Sequence, residues 1–141
     1  MKNKKTENTK TDLPSKFILF GEDDLDDQEI LEEIFLEVDT SLNLQFFNNG
    51  RKVISQLENE DEQLPCLIIL DFNMPELNGA EILKLLGMNH RVKPIPKIIW
   101  STSDALVYKA ECLELGASDY LVKPSTINEL EAIVKHMLSY C

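Results

Sequence analysis

Three carboxylates and one lysine close short apolar runs in this chain. Glu22 and Asp23 follow Phe17-Ile18-Leu19-Phe20, Asp71 follows Cys66-Leu67-Ile68-Ile69-Leu70, and Lys123 follows Tyr120-Leu121-Val122. Runs this short and this apolar suit fully buried parallel strands. In an open α/β sheet, ligands bind beyond the carboxyl ends of the strands, so these acids are expected to meet in one crevice. Two carboxylates ~5 Å apart repel by roughly 3 kcal/mol at an effective dielectric near 20. Either one takes up a proton or the group binds a cation. Oxygen ligands without a nearby cysteine or histidine favour a hard cation, and a few carboxylates beside a phosphate suit Mg²⁺. Lys123 adds a mobile point charge able to pair with a phosphate oxygen. Together the four residues read as a metal-assisted phosphoryl site. Taken singly they have plainer readings: Glu22-Asp23-Asp24 as acids at a helix start, Asp71 beside Asn73 as a loop cap, and Lys123 as a solvated strand end. Their common placement after three different strands favours the site.

The elements that must position these residues alternate along the chain. Apolar residues at 25, 30, 31, 34, 35 and 38 predict a helix from Asp24 to Val38 with an acidic outer face. Residues 42 to 47 read as a second strand, and Asn49-Gly50 opens a short helix to about Glu58. After the strand ending at Asp71, a loop with Pro75 leads to Asn78 and Glu81, spaced as a capping box for a third helix. Pro94 and Pro96 precede a strand from Lys97 to Trp100, followed by Ser101-Thr102-Ser103 and a helix from Asp104 to Leu115 stopped by Gly116. Thr126 to Glu129 form a second capping box, before a helix with apolar positions 127, 130, 133, 134, 137 and 138. Five strands alternate with five helices, with no internal repeat.

Composition agrees with one small domain: 141 residues, 43% hydrophobic and 28% charged. No apolar stretch approaches the ~20 residues of a membrane span and no secretory signal is visible, so the expected location is cytoplasmic, with no membrane partner. Residues 1 to 16 carry five lysines against Glu7 and Asp12 and read as a disordered, solubilising basic tail. The domain expected at 17 to 141 has nine basic residues against 23 acidic ones, a net charge of −14, which argues against direct contact with nucleic acid or anionic lipid. Cys66, Cys112 and Cys141 share no ligand spacing, and the expectation is two packing residues and one terminal thiol, with no disulfide framework or zinc site. His90 and His136 say nothing alone.

In their order and spacing, four pieces resemble the receiver domain of bacterial two-component response regulators: Ile18-Leu19-Phe20-Gly21-Glu22-Asp23-Asp24; Leu70-Asp71-Phe72-Asn73-Met74-Pro75 with Gly79; Ser101-Thr102; and Gly116 through Pro124. The match runs from about Phe17 to Leu138. It implies a doubly wound, flavodoxin-like α/β fold with a five-stranded parallel sheet in the order 2-1-3-4-5. It also implies a role for each position. Asp71 would be the phospho-acceptor, Asp23 a direct Mg²⁺ ligand, Glu22 a ligand through water, and the backbone carbonyl of Asn73 a further ligand. Ser101 and Lys123 would bind phosphoryl oxygens. Tyr120 would be an aromatic switch turning inward as Ser101 moves, and the Lys123-Pro124 bond would be cis. Glu22 stands where aspartate is commoner, and Ser125 where phenylalanine often follows Lys-Pro. Asp24, Asp26 and Asp27 are similar to the acids of free-standing receivers that partner phytochromes.

The implied function is phosphoryl acceptance from a sensor histidine kinase or histidine phosphotransferase, with output through a downstream protein or a phosphorylation-dependent homodimer on helix four, strand five and helix five. Such a domain is a signalling module rather than an enzyme. A phosphorelay shuttle or phosphate sink, or a phosphorylation-independent scaffold, are the alternatives within the family. A phosphatase of the haloacid-dehalogenase type would need a second aspartate at the position of Asn73, and a nucleotide-binding domain would need a Gly-rich phosphate loop, which no strand here precedes.

Overall fold

The structure, a computed structural model, describes residues 16–141, so the proposed tail lies outside the described residues but for Lys16. Ten elements alternate: β1 (Phe17–Gly21), α1 (Leu25–Val38), β2 (Asn43–Phe47), α2 (Gly50–Glu58), β3 (Leu67–Asp71), α3 (Gly79–Leu86), β4 (Lys97–Ser101), α4 (Leu106–Glu114), β5 (Asp119–Val122) and α5 (Ile127–Leu138). The strands are all parallel, in the order β2-β1-β3-β4-β5, as the resemblance implied.

Because side chains alternate along a strand, each strand feeds two cores. Phe17, Leu19, Ile68, Leu70, Ile99 and Tyr120 pack with Val53, Leu57, Ile82, Leu83 and Cys112 on the α2-α3-α4 side. Ile18, Phe20, Leu67, Ile69, Ile98 and Trp100 pack with Leu31, Ile34, Phe35, Leu130, Val134 and Met137 on the α1-α5 side. Burial on both faces explains why β1, β3 and β4 read as unbroken apolar runs rather than as alternation.

Local chemistry sets most helix starts. Asp24 caps α1, its carboxylate accepting from the amides of Asp26 and Asp27 at 2.9 and 3.1 Å. Asn78 and Glu81 form the reciprocal capping box of α3, both bonds at 2.9 Å. At α5 only half of the expected box forms: Thr126 Oγ1 accepts from the Glu129 amide, but the Glu129 carboxylate takes the Thr126 hydroxyl rather than its backbone N–H. The α4 helix starts at Leu106, two residues after the expected Asp104. Ser101 Oγ accepts from the Ser103 amide at 3.1 Å and Ser103 Oγ from the Ala105 amide at 3.2 Å, and these serine turns hold the segment out of the helix. Gly116 ends α4 region geometry with a φ of 107°, open to glycine at little cost. Gly50 is required for a different reason, since a Cβ there would lie 2.4 Å from the Leu77 carbonyl oxygen.

Two further expectations are corrected. Cys66 and Cys141 form a disulfide, with Cα atoms 5.3 Å apart, while Cys112 is free and buried as expected. The paired residues are 75 positions apart, and only the return of α5 along the sheet brings the last residue to the start of β3. The second concerns Lys123-Pro124: no described peptide bond is cis. Cis and trans X-Pro bonds differ by only about 0.5–1 kcal/mol, so the local sequence does not decide between them.

Candidate functional site

The sheet register brings the predicted residues into one row. Gly21 pairs with Leu70, Asp71 with Trp100, and Ser101 with Val122, so Glu22, Asp71, Ser101 and Lys123 emerge side by side at the carboxyl edge. Order reverses between β1 and β3, the position where a crevice opens in such sheets. An open cleft there is lined by Asp23, Asp27, Asp71, Asn73, Thr102 and Lys123, among others.

Glu22, Asp23 and Asp71 each offer a carboxylate oxygen within 4.8 Å of the others, the arrangement the strand ends predicted. Glu22 and Asp71 are buried and Asp23 is exposed. This is a donor set of hard oxygens with no sulfur or imidazole, which fits a small divalent cation. Asp71 Oδ1 accepts the Asn73 amide at 3.0 Å, and Asp71 Oδ2 accepts Lys123 Nζ at 2.9 Å. Lys123 Nζ also reaches Glu22 Oε1 at 3.3 Å and Asp27 Oδ2 at 3.0 Å.

The electrostatics follow from these distances. Burial, and then the neighbouring Asp71 charge, push the Glu22 carboxyl up to about 7, against the pull of Lys123 and the Asp24 amide. For Lys123 burial works against the charged form. The hydrogen bond to Asp71, the charges of Glu22 and Asp71, and the bond to Asp27 outweigh it and hold the ammonium above its ordinary range. One cation among three carboxylates leaves the cleft net negative, which is what a bound divalent ion would correct.

Ser101 is fully buried, and its hydroxyl oxygen accepts from Ser103 N–H, which leaves its own proton for another acceptor. Tyr120 is already turned inward, 4% exposed, its phenol donating to the Ser103 carbonyl at 2.8 Å. The sequence reading missed two parts of this arrangement. Ser103 joins Ser101 to Tyr120, and the only trace of it was the Ser-Thr-Ser run. Asp27 joins the lysine cluster, although it looked like one more acid on the outer face of a helix.

Trp100, the only tryptophan in the chain, packs on the α1-α5 side with Lys123 Nζ 5.6 Å from its ring centre. Its indole N–H is buried without a hydrogen-bond partner. Movement of Lys123 toward an anion must therefore alter the indole environment. Intrinsic fluorescence is expected to change when Mg²⁺ and beryllofluoride, a phosphoryl mimic, are added. It should stay constant in Asp71→Asn, and a silent wild-type titration would rule out movement of Lys123 over the ring.

The chain belongs to the response regulator receiver domain family, whose sequence profile matches residues 18–135. Receiver domains are signalling modules of two-component systems. Among its relatives, chemotaxis protein CheV2 of Helicobacter pylori is 36% identical over 125 residues, 88% of this chain and 39% of that protein. The two-component response regulator-like APRR1 of Arabidopsis thaliana is 32% identical over 112 residues, 79% of this chain and 18% of that one. The chain thus spans well under half the length of either. Among solved structures, the phosphorylated cyanobacterial phytochrome response regulator RcpA superposes with a TM-score of 0.81 at 25% identity, covering 91% of this chain and 97% of its own. The Mn(2+)-bound response regulator Rcp1 gives 0.78 at 29% identity, covering 88% and 92%. No helix among the described residues is long and apolar enough to cross a membrane.

Proposed function

We propose that Asp71 accepts a phosphoryl group, in a Mg²⁺-dependent reaction, from the phosphohistidine of a sensor histidine kinase or histidine phosphotransferase, and that the modified protein signals through a protein contact. The observation that carries this reading is the Lys123 ammonium 2.9 Å from Asp71, beside three carboxylates whose oxygens lie within 4.8 Å. An Asp71 carboxylate oxygen forms the new bond to phosphorus, the phosphorus–nitrogen bond breaks, and the imidazole leaves with its electron pair. Transfer of this kind depends on in-line positioning and on neutralising the outer oxygens. The Asn73 amide and Lys123 orient the two oxygens of Asp71. Lys123, and Ser101 through its uncommitted proton, are the groups available to phosphoryl oxygens. Glu22, Asp23, Asp71 and the Asn73 carbonyl would hold Mg²⁺, which when bound supplies charge neutralisation for the transferring group. The likeness to Mn(2+)-bound Rcp1 supports a divalent cation here.

The residue two positions after Asp71 is Asn73, an amide that cannot act as the acid/base of a phosphatase. Output would run through Ser101, Ser103 and Tyr120 to the α4-β5-α5 face, where Leu106, Val107, Tyr108, Val122 and Ile127 are exposed. A phosphoryl group adds strong acceptors and nearly two negative charges, enough to bias such a loop between two packings. Incubation with acetyl phosphate and Mg²⁺ is expected to add one phosphoryl group, about 80 Da by the chemistry of the modification. Intact-mass measurement should show no addition in Asp71→Asn; undiminished addition in that variant would overturn the assignment.

A further inference from the structure

An ammonium group has three N–H donors, and Lys123 spends them on three carboxylates, Asp71 at 2.9 Å, Asp27 at 3.0 Å and Glu22 at 3.3 Å. A phosphoryl oxygen can gain Lys123 only by taking a donor from one of these acids. Once Asp71 carries the phosphoryl group as an acyl phosphate its bonded oxygen is a weak acceptor, and Glu22 would be engaged by Mg²⁺. Asp27 is then the one full carboxylate that still claims the ammonium.

Asp27 is also well placed to keep that claim. Its backbone amide is held by the Asp24 cap at 3.1 Å, which fixes it in the first turn of α1, and carboxylates are favoured at a helix N-terminus. Its side chain is 37% exposed against 14% for Lys123 and 10% for Asp71, so it pulls the ammonium toward the mouth of the cleft. Resting on the phospho-acceptor reading, we infer that Asp27 is a positioning residue that competes with the phosphoryl group for Lys123 and so sets how tightly the site holds it.

The test is titration of the full chain with beryllofluoride at saturating Mg²⁺. Asp27→Asn is expected to tighten binding by about threefold to fivefold, the scale of a partly exposed ion pair. A gain of affinity cannot come from misfolding. Asp27→Glu, which returns the charge on a longer arm, should bring affinity back toward that of wild type. In a Lys123→Gln background Asp27→Asn should have no effect, because the competition runs through the lysine. Tightening of equal size in that background would show a general field of negative charge and overturn the inference, as would unchanged or weaker binding in the single variant. Wild type that takes up no beryllofluoride would overturn the phospho-acceptor reading and this inference with it; binding by wild type with indifference at Asp27 would overturn this inference alone.

Discussion

Lys123→Met is expected to slow phosphoryl uptake from acetyl phosphate on the order of 100-fold, the usual consequence of losing a charged or hydrogen-bonding donor aimed at a transferring group. Among the described residues lining the cleft Lys123 is the only cation, and its ammonium contacts the acceptor directly. Methionine keeps the length of the stem while removing the ammonium, which lies 5.6 Å from the Trp100 ring centre. The variant should differ from Asp71→Asn in kind, since slow uptake remains where the asparagine chain takes up none. The same change removes the charge that lowers the Glu22 carboxyl, which should climb further above about 7. Initial rates of mass addition at fixed Mg²⁺ provide the measurement. A rate within about threefold of wild type would remove Lys123 from the reaction, because that range is worth less than one hydrogen bond.

Mg²⁺ affinity is expected to rise about 30-fold between pH 5.5 and pH 8. A carboxyl titrating near 7 must lose its proton before it can serve a cation, and below that value affinity falls nearly tenfold per unit. Glu22→Gln should bind more weakly at pH 8 and lose most of the slope. Persistence of the full slope in that variant would assign the titration to another group. Stability without metal follows the same proton. The folded-state value is raised from 4.5, so the stabilisation of the protonated form is fully present below about 4.5 and is lost as pH rises through about 7. Added Mg²⁺ should therefore raise the melting temperature more at pH 8 than at pH 5.5.

Much of the fold was legible because its causes are local. Apolar runs bounded by Gly, Pro and polar residues marked β1, β3 and β4, and Asn49, Asn78 and Thr126 marked helix starts by their ability to accept backbone N–H bonds. The beginning of α4 was less legible, because serine turns can replace the first turn of a helix without any change in the apolar pattern. Lys97 was missed as well. It entered the sequence reading only as the first residue of the fourth strand, and it is buried there, its ammonium donating to the carbonyls of Val92, Lys93 and Ile95.

By itself the sequence determined the parallel strands, the helices between them, and an acid, a serine or a lysine at each strand end that faces the cleft. Residue type and short-range spacing are enough for those, since strand burial, capping and crossover geometry act within a few residues or by a general rule of such sheets. Only the tertiary structure decided which acids share Lys123, that Ser103 joins Ser101 to Tyr120, and that Cys66 meets Cys141. The long-range contacts among these join residues from 17 to 101 positions apart and depend on register and on how helices lie across the sheet. Spacing along a chain carries no record of that, because distance in a folded sheet is set by strand order rather than by sequence.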